Sequence, residues 1–156
     1  MLNAGIEIGT EVIKRYQSVH DRKMDFVVFT IKDQKCISHV ESFPDSDEDI
    51  ESFKKDNDKN GNWMSRVYPK FYTSLVDKTE PLFVILDFKC EIDSRKCSKL
   101  YFIGWCPERC SVKSKMLFST TFSQFANTVN IPTRIIAHTP NDISYEELYR
   151  RLEKSV

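Results

Sequence analysis

Two stretches of the chain, Phe26 to Ile31 (Phe-Val-Val-Phe-Thr-Ile) and Leu82 to Phe88 (Leu-Phe-Val-Ile-Leu-Asp-Phe), are nearly unbroken runs of β-branched, aliphatic and aromatic residues. A strand with one wetted face alternates apolar and polar positions, whereas a near-continuous run suits a strand covered on both faces. Both stretches therefore predict central strands. Lys35 to Ser42, Lys99 to Cys106 and Thr133 to His138 read as three further strands, with Pro107 closing the one that ends at Cys106. Elsewhere the period changes to that of a helix. Val12, Ile13, Tyr16 and Val19 recur at helical spacing behind Thr10 as N-cap, which predicts a helix from Thr10 to about His20. Trp63 to Val76, with Pro69 as an irregularity, Ser111 to about Val129, and Ser144 to Lys154 give three more. Hairpins join antiparallel strands and helical crossovers join parallel ones. This order therefore predicts an α/β (α+β) fold: a five-stranded mixed central sheet flanked on both faces by helices.

At 156 residues the chain fits one domain, residues 1–156, and its 40% hydrophobic content is enough for a packed core. The formal net charge is zero, which gives no electrostatic reason to expect nucleic acid or a membrane surface as the main partner. Charge is nonetheless unevenly spread. Between Glu41 and Asn62 eight acids stand against three lysines, a net of −5, so the remainder carries +5. This segment is poor in apolar residues and reads as a solvated acidic loop insertion at about 43–62. The longest apolar runs fall far short of the ~20 residues that a membrane helix needs. Five cysteines make an odd count, and no secretory signal pattern is read at the start, so reduced thiols and a cytoplasmic location are expected.

No catalytic, metal or cofactor site stands out. Asp56-Asn57-Asp58-Lys59-Asn60-Gly61 copies the first half of a calcium-binding loop, but its twelfth position is Val67 where a bidentate glutamate should close the shell. Cys106 and Cys110, with Cys97 upstream, lack the paired short spacings of a structural zinc site. His20, His39 and His138 fall on separate elements, and the four glycines build no phosphate loop. Carboxylates are plentiful without a pattern that identifies acid/base chemistry.

Two surface constellations remain. In Ser111-Val-Lys-Ser-Lys-Met-Leu-Phe118 a helical projection at about 100° per residue puts Met116 near Val112, flanks it with Lys113 and Lys115, and turns Phe118 roughly 160° away. The result is an apolar, polarizable tip among cations, a docking surface for an acidic, grooved protein. The last helix opens with the capping box Ser144-Tyr-Glu-Glu147. Along it Tyr145, Leu148, Tyr149 and Leu152 form an apolar stripe, opposite Arg150, Arg151 and Lys154 with Glu147.

Lys96 to Ser119, in which a strand ending in Trp105-Cys-Pro107 is followed by the Lys113-Ser-Lys-Met116 helix, resembles the most characteristic stretch of the actin-depolymerising factor/cofilin family. Gly5-Ile-Glu-Ile8, Phe26-Val-Val-Phe29, Leu86-Asp-Phe88 and Asp142-Ile-Ser-Tyr145 match in the same order, covering nearly all the chain except 43–62. The resemblance implies that family's fold, with no enzymatic activity and no cofactor, and actin as the partner in both its monomeric and filamentous forms. It implies that Leu2, Asn3, Ala4, Gly5, Ile6, Lys113, Lys115 and Met116 contact monomer and filament alike. It further implies that Lys99, Arg151 and Lys154 form a second surface used on filaments, where Cys97 and Arg150 depart from the family's pattern. Filament severing and depolymerisation by a cytoplasmic monomer are the expected activity. The alternatives are a relative that binds filament sides or the branch-forming actin-related complex without depolymerising actin, and a phosphoinositide-regulated adaptor. Ala4 stands where many members carry a phosphorylated serine, so escape from that switch is also implied.

Overall fold

The computed structural model of the chain describes residues 6–43 and 66–154. Helix α1 (Thr10–His20) leads into strands β1 (Phe26–Lys32) and β2 (Cys36–Phe43). Helix α2 (Tyr68–Leu75) precedes strands β3 (Leu82–Ile92) and β4 (Arg95–Trp105). Helix α3 (Val112–Val129), strand β5 (Arg134–Ala137), a 3-10 turn (Pro140–Ile143) and helix α4 (Tyr145–Lys154) follow. The strands form one five-stranded sheet in the order β2-β1-β3-β4-β5. All neighbours are antiparallel except β4 and β5, which the α3 crossover makes parallel. The mixed sheet between two helical layers is the fold that the sequence pattern predicts.

Strand alternation sorts the core into two layers. Phe26 and Val28 of β1, Leu82, Val84, Leu86 and Phe88 of β3, and Tyr101, Ile103 and Trp105 of β4 face α2 and α4. Val27 and Phe29, Phe83 and Ile85, and Phe102 face α1 and α3. Both sets are buried, which is why the strands read as continuous apolar runs. Gly104 holds the α3 layer close. A Cβ added there would stand 2.5 Å from Phe118 Cζ and 2.7 Å from Phe122 Cδ1, so only glycine lets those rings lie directly on β4. Phe118 stacks on Phe83 with centroids 5.4 Å apart, and Phe122 lies 5.1 Å from Phe102.

Several boundaries differ from those expected. Gly9 is the N-cap of α1, so Thr10 is its first helical residue. Pro69 does not interrupt α2; it sits in the first turn, where its missing N–H needs no partner. The expected segment 63–65 of that helix lies outside the described residues. Phe43, expected at the start of the acidic insertion, belongs to β2 and is stacked on Phe26 at 5.9 Å; the rest of the expected insertion, 44–62, lies outside the described residues. The largest difference is in β3 and β4. They run four residues beyond Phe88 and four before Lys99, joined by Asp93 and Ser94 at φ 52° and 66°. Two positive φ values make the tight turn that matches the twist of a two-residue hairpin.

One part of the core is polar. Asp25 and Asp87 are both buried, and Lys89 Nζ lies 3.6 Å from Asp25 Oδ1 and 3.9 Å from Asp87 Oδ2. Arg22 Nη1 stands 3.9 Å from the same Asp87 oxygen. Burial pushes the Asp87 carboxyl above the ordinary carboxylate range, and Lys89 and Arg22 pull it back only in part. The folded state thus holds that proton more tightly than the unfolded chain does. Its contribution to stability is full below the ordinary aspartate value of about 3.9 and is lost as pH rises through the folded value. Asp87→Asn fixes the neutral state, so its melting temperature relative to wild type should increase from pH 4 to pH 8. Thermal unfolding across that range checks this. Gly104→Ala should cost about 1–3 kcal/mol by overpacking against Phe118, read in denaturant titrations.

Candidate functional site

The first turn of α3 is built by its cap. Ser111 is extended, with φ −64° and ψ 158°, and its Oγ accepts the Ser114 N–H at 3.1 Å. This fixes the rotation of the helix, with Phe118 and Phe122 turned to the sheet and the opposite side to solvent. Met116 is 68% exposed and Val112 is 75% exposed, one turn apart. Lys113 is exposed, and Lys115 Nζ lies 3.8 Å from Glu108 Oε2 on the loop before the helix. The expected platform is therefore present, with one cation partly neutralised. Val112 stands beside Met116, as the helical projection expects, although it is not among the expected contact residues. Leu117 is half-buried against the core.

Ile6 differs from its expected role as a surface contact. Its side chain is buried in the α1–α3 layer, because Gln124 Nε2 on α3 donates to Ile6 O at 3.0 Å and draws the segment down. The neighbouring Glu7 bridges to β2: its N–H donates to Lys35 O at 2.7 Å, and its carbonyl accepts Ile37 N–H at 2.9 Å. Gln124 and Glu7 carry no signal in the sequence, since an amide on a helix has many equivalent uses. Leu2, Asn3, Ala4 and Gly5 lie outside the described residues. Ile6 itself packs in the α3 layer, on the side of the sheet that carries Lys113, Lys115 and Met116.

Lys99 lies on the other side. It shares the β4 face of Tyr101, whose hydroxyl donates to Leu148 O of α4 at 2.7 Å. Helix α4 buries Leu148 and Leu152 and leaves Arg150, Arg151 and Lys154 exposed. Its Ser144 cap forms through Glu147 N–H at 3.2 Å, but the Glu147 carboxylate turns to Arg150 and to Arg151 Nε, 3.2 Å away. A hydrogen bond from Arg150 holds the Glu147 carboxyl below its ordinary value. The basic face is thus an ordered network in which Glu147 shares its charge between two arginines.

The described cysteines and histidines do not gather at one place in the fold. Cys97 packs on the α4 side, while Cys106 and Cys110 are buried on the α3 side. Val67, the twelfth position of the calcium-like loop, is fully buried in the core, and Asp56 to Gly61 lie outside the described residues. His20 lies beside Asp21 and Tyr16, His39 meets the edge of Phe29, and His138 Nδ1 donates to Cys106 O at 2.8 Å. Among the described residues no group of three or more metal-ligating side chains converges, and no helix is long and apolar enough to cross a membrane.

Residues 5–153 match the family described as cofilin/tropomyosin-type actin-binding protein. The chain belongs to this family. Cofilin of Schizosaccharomyces pombe is 24% identical over 153 residues, covering 97% of each chain. Among solved structures, actin depolymerization factor 2 of Plasmodium berghei superposes with a TM-score of 0.76 over 99% of each chain at 17% identity. Human coactosin-like protein superposes with a TM-score of 0.69 at 17% identity, covering 96% of this chain and 98% of its own.

The clamp on the N-terminal segment is open to direct test. Gln124→Ala should lower stability by about 0.5–1.5 kcal/mol and reduce hydrogen-exchange protection at Glu7 and Ile37 while β3 and β4 keep theirs. Amide exchange read residue by residue checks this.

Proposed function

We propose that the chain binds monomeric and filamentous actin and promotes filament severing and depolymerisation, without catalytic chemistry. The observation that carries this reading is the exposed Val112–Met116 pair beside Lys113, on a helix whose other side is buried in the core. Exposed apolar tips on a rigid, capped helix lose little conformational entropy on docking, and the flanking lysines favour an acidic groove. In this reading Lys113, Lys115, Met116 and the segment Leu2 to Gly5 meet monomer and filament, with the buried Ile6 anchoring that segment from the core. Lys99, Arg151 and Lys154 add the contact found only in filaments. Depolymerisation follows if the chain binds one filament state more tightly than another, since a ligand shifts an equilibrium only by its differential affinity. The chain acts as a monomer in the cytoplasm, and phosphoinositides compete at the lysine face.

The second reading is a filament-side binder that does not depolymerise actin, which the same fold and the same exposed lysine face would also serve. The two part at the monomer and in the kinetics. Under the first, labelled monomer is bound and filaments shorten; under the second, pelleting occurs without shortening.

Replacing Lys113 and Lys115 together by alanine should weaken monomer and filament binding alike, by about tenfold or more at low salt. Replacing Lys99, Arg151 and Lys154 should weaken pelleting and severing by a similar factor and leave monomer affinity nearly unchanged. Both losses should shrink as salt is raised. Fluorescence titration of monomer beside filament co-sedimentation checks the pair. Equal loss of both activities in the folded triple variant would refute two surfaces, and a wild type that bound neither form would refute the function.

A further inference from the structure

The extra length of β3 and β4 sets Cys90 directly opposite Cys97. Directly opposed residues of an antiparallel pair share a face, with Cα atoms about 4.5–5.5 Å apart. That separation lies within the roughly 4.4–6.8 Å that a disulfide spans. Both thiols are free and half-buried, at the rim of the core layer beneath α4. Their surroundings belong to the filament surface. Lys99 is two residues beyond Cys97 on the same strand face. Phe88, two residues before Cys90, packs on Tyr145 of α4 at 5.4 Å. The Cys90 sulfur lies within electrostatic reach of Tyr101, Tyr145 and Tyr149. The other cysteines offer less. Cys106 and Cys110 are buried, with the Cys110 thiol donating to Thr79 O at 3.1 Å, and Cys36 faces Lys32 across its hairpin.

We propose that Cys90 and Cys97 are a reversible disulfide-forming site, open to small-molecule disulfides, whose oxidation weakens the filament contact of Lys99, Arg151 and Lys154. The functional half of this rests on the proposed role of that surface. Burial, reinforced by Cys97, pushes the Cys90 thiol up to about 11. Cys97 is therefore the entry point, because the thiolate is the attacking species. Its thiolate attacks one sulfur of the external disulfide, whose S–S bond breaks to leave a mixed disulfide and release one thiolate. Cys90 then gives up its proton to solvent and attacks the Cys97 sulfur, expelling the second thiolate. The protein loses two electrons and two protons, and the reagent, reduced by the same amount, departs as two thiols. Bonding at about 2.05 Å draws the two side chains together across the strands and away from Tyr145 and Tyr149. Helix α4 then re-seats, and Arg151 and Lys154 move relative to Lys99. The Lys113–Met116 platform lies across the sheet and is left alone.

The test uses oxidised glutathione on the full chain, with peptide mass mapping, thiol counting, and both actin assays before and after dithiothreitol. The expected result is a Cys90–Cys97 linked peptide, two thiols lost and restored, filament pelleting down about fivefold, and monomer affinity unchanged. Cys97→Ser, confirmed folded by circular dichroism, should abolish the bridge and keep pelleting constant under the oxidant, whereas Cys90→Ser should abolish the bridge and stop at a glutathione mixed disulfide on Cys97. In the wild type, absence of the linked peptide, or a mixed disulfide that stays on Cys97, overturns the site. A bridge that forms without changing pelleting overturns its control of the surface. If the reduced chain fails to bind filaments at all, the proposed function falls, while the mass map still decides the disulfide.

Discussion

Because the central strands are buried on both sides, a single residue of register decides which helical layer a side chain meets. This constraint organises everything else. It requires apolar residues at successive positions of β1 and β3, and it puts the two proposed contact surfaces on opposite sides of one sheet. The α3 side needs a close approach. Gly104 opens the space on β4, Phe118 and Phe122 fill it, and the same helix rotation sends Val112 and Met116 outward. Core packing and surface presentation on α3 are thus one fact seen from two sides. A sequence that repacked the Phe118 layer would also re-aim the lysines.

The central strands and the helical periodicities were legible for that reason, since each element's pattern reports how many of its faces are covered. Less legible were features set by tertiary geometry. β3 and β4 run further than their apolar signal, because Lys89, Glu91, Arg95 and Lys96 interrupt it towards the exposed turn at Asp93 and Ser94. Asp93 and Ser94 are also less emphatic turn residues than a pair with glycine. Pro69 could be read as a break or as a first-turn residue, and only the helix start decides which. The Lys113–Met116 platform could be projected from spacing alone, whereas Ile6 could not. Its burial depends on Gln124, which is 118 residues away along the chain.

The polar core at Asp25 and Asp87 shows the other limit of pattern reading. An aspartate within an apolar strand run breaks the local rule, and Asp87 lies in the stretch that otherwise marks β3 as central. Its position is supported by backbone as well as charge, since Asp87 N–H donates to Asp25 O at 2.8 Å and Asp25 N–H donates to Phe43 O at 2.7 Å. Lys89 reaches in from the next position on the same face. Two buried acids beside a partly exposed lysine cost more in desolvation than an apolar trio would. They also fix the register of the β1–β3 pair at the end where α1 delivers the chain, which a featureless run of valine and phenylalanine would leave less defined.

Charge on α4 follows a related logic. A loose cluster of Arg150, Arg151 and Lys154 would repel itself and present flexible side chains. Glu147, held in the first turn where its N–H meets Ser144, binds both arginines and restricts them. Ordering lowers the entropy lost on docking but also spends part of each arginine's charge internally. The net cationic field of this face therefore depends on Lys99 and Lys154 more than a count of basic residues suggests. Lys99 is a half-buried strand residue whose position is set by β4, whereas Arg151 and Lys154 are set by how α4 sits on Tyr101 and Phe88. Arg151 and Lys154 keep one placement relative to Lys99 only while the helix and the strand do, and the half-buried Cys90 and Cys97 pack against the core layer beneath that helix.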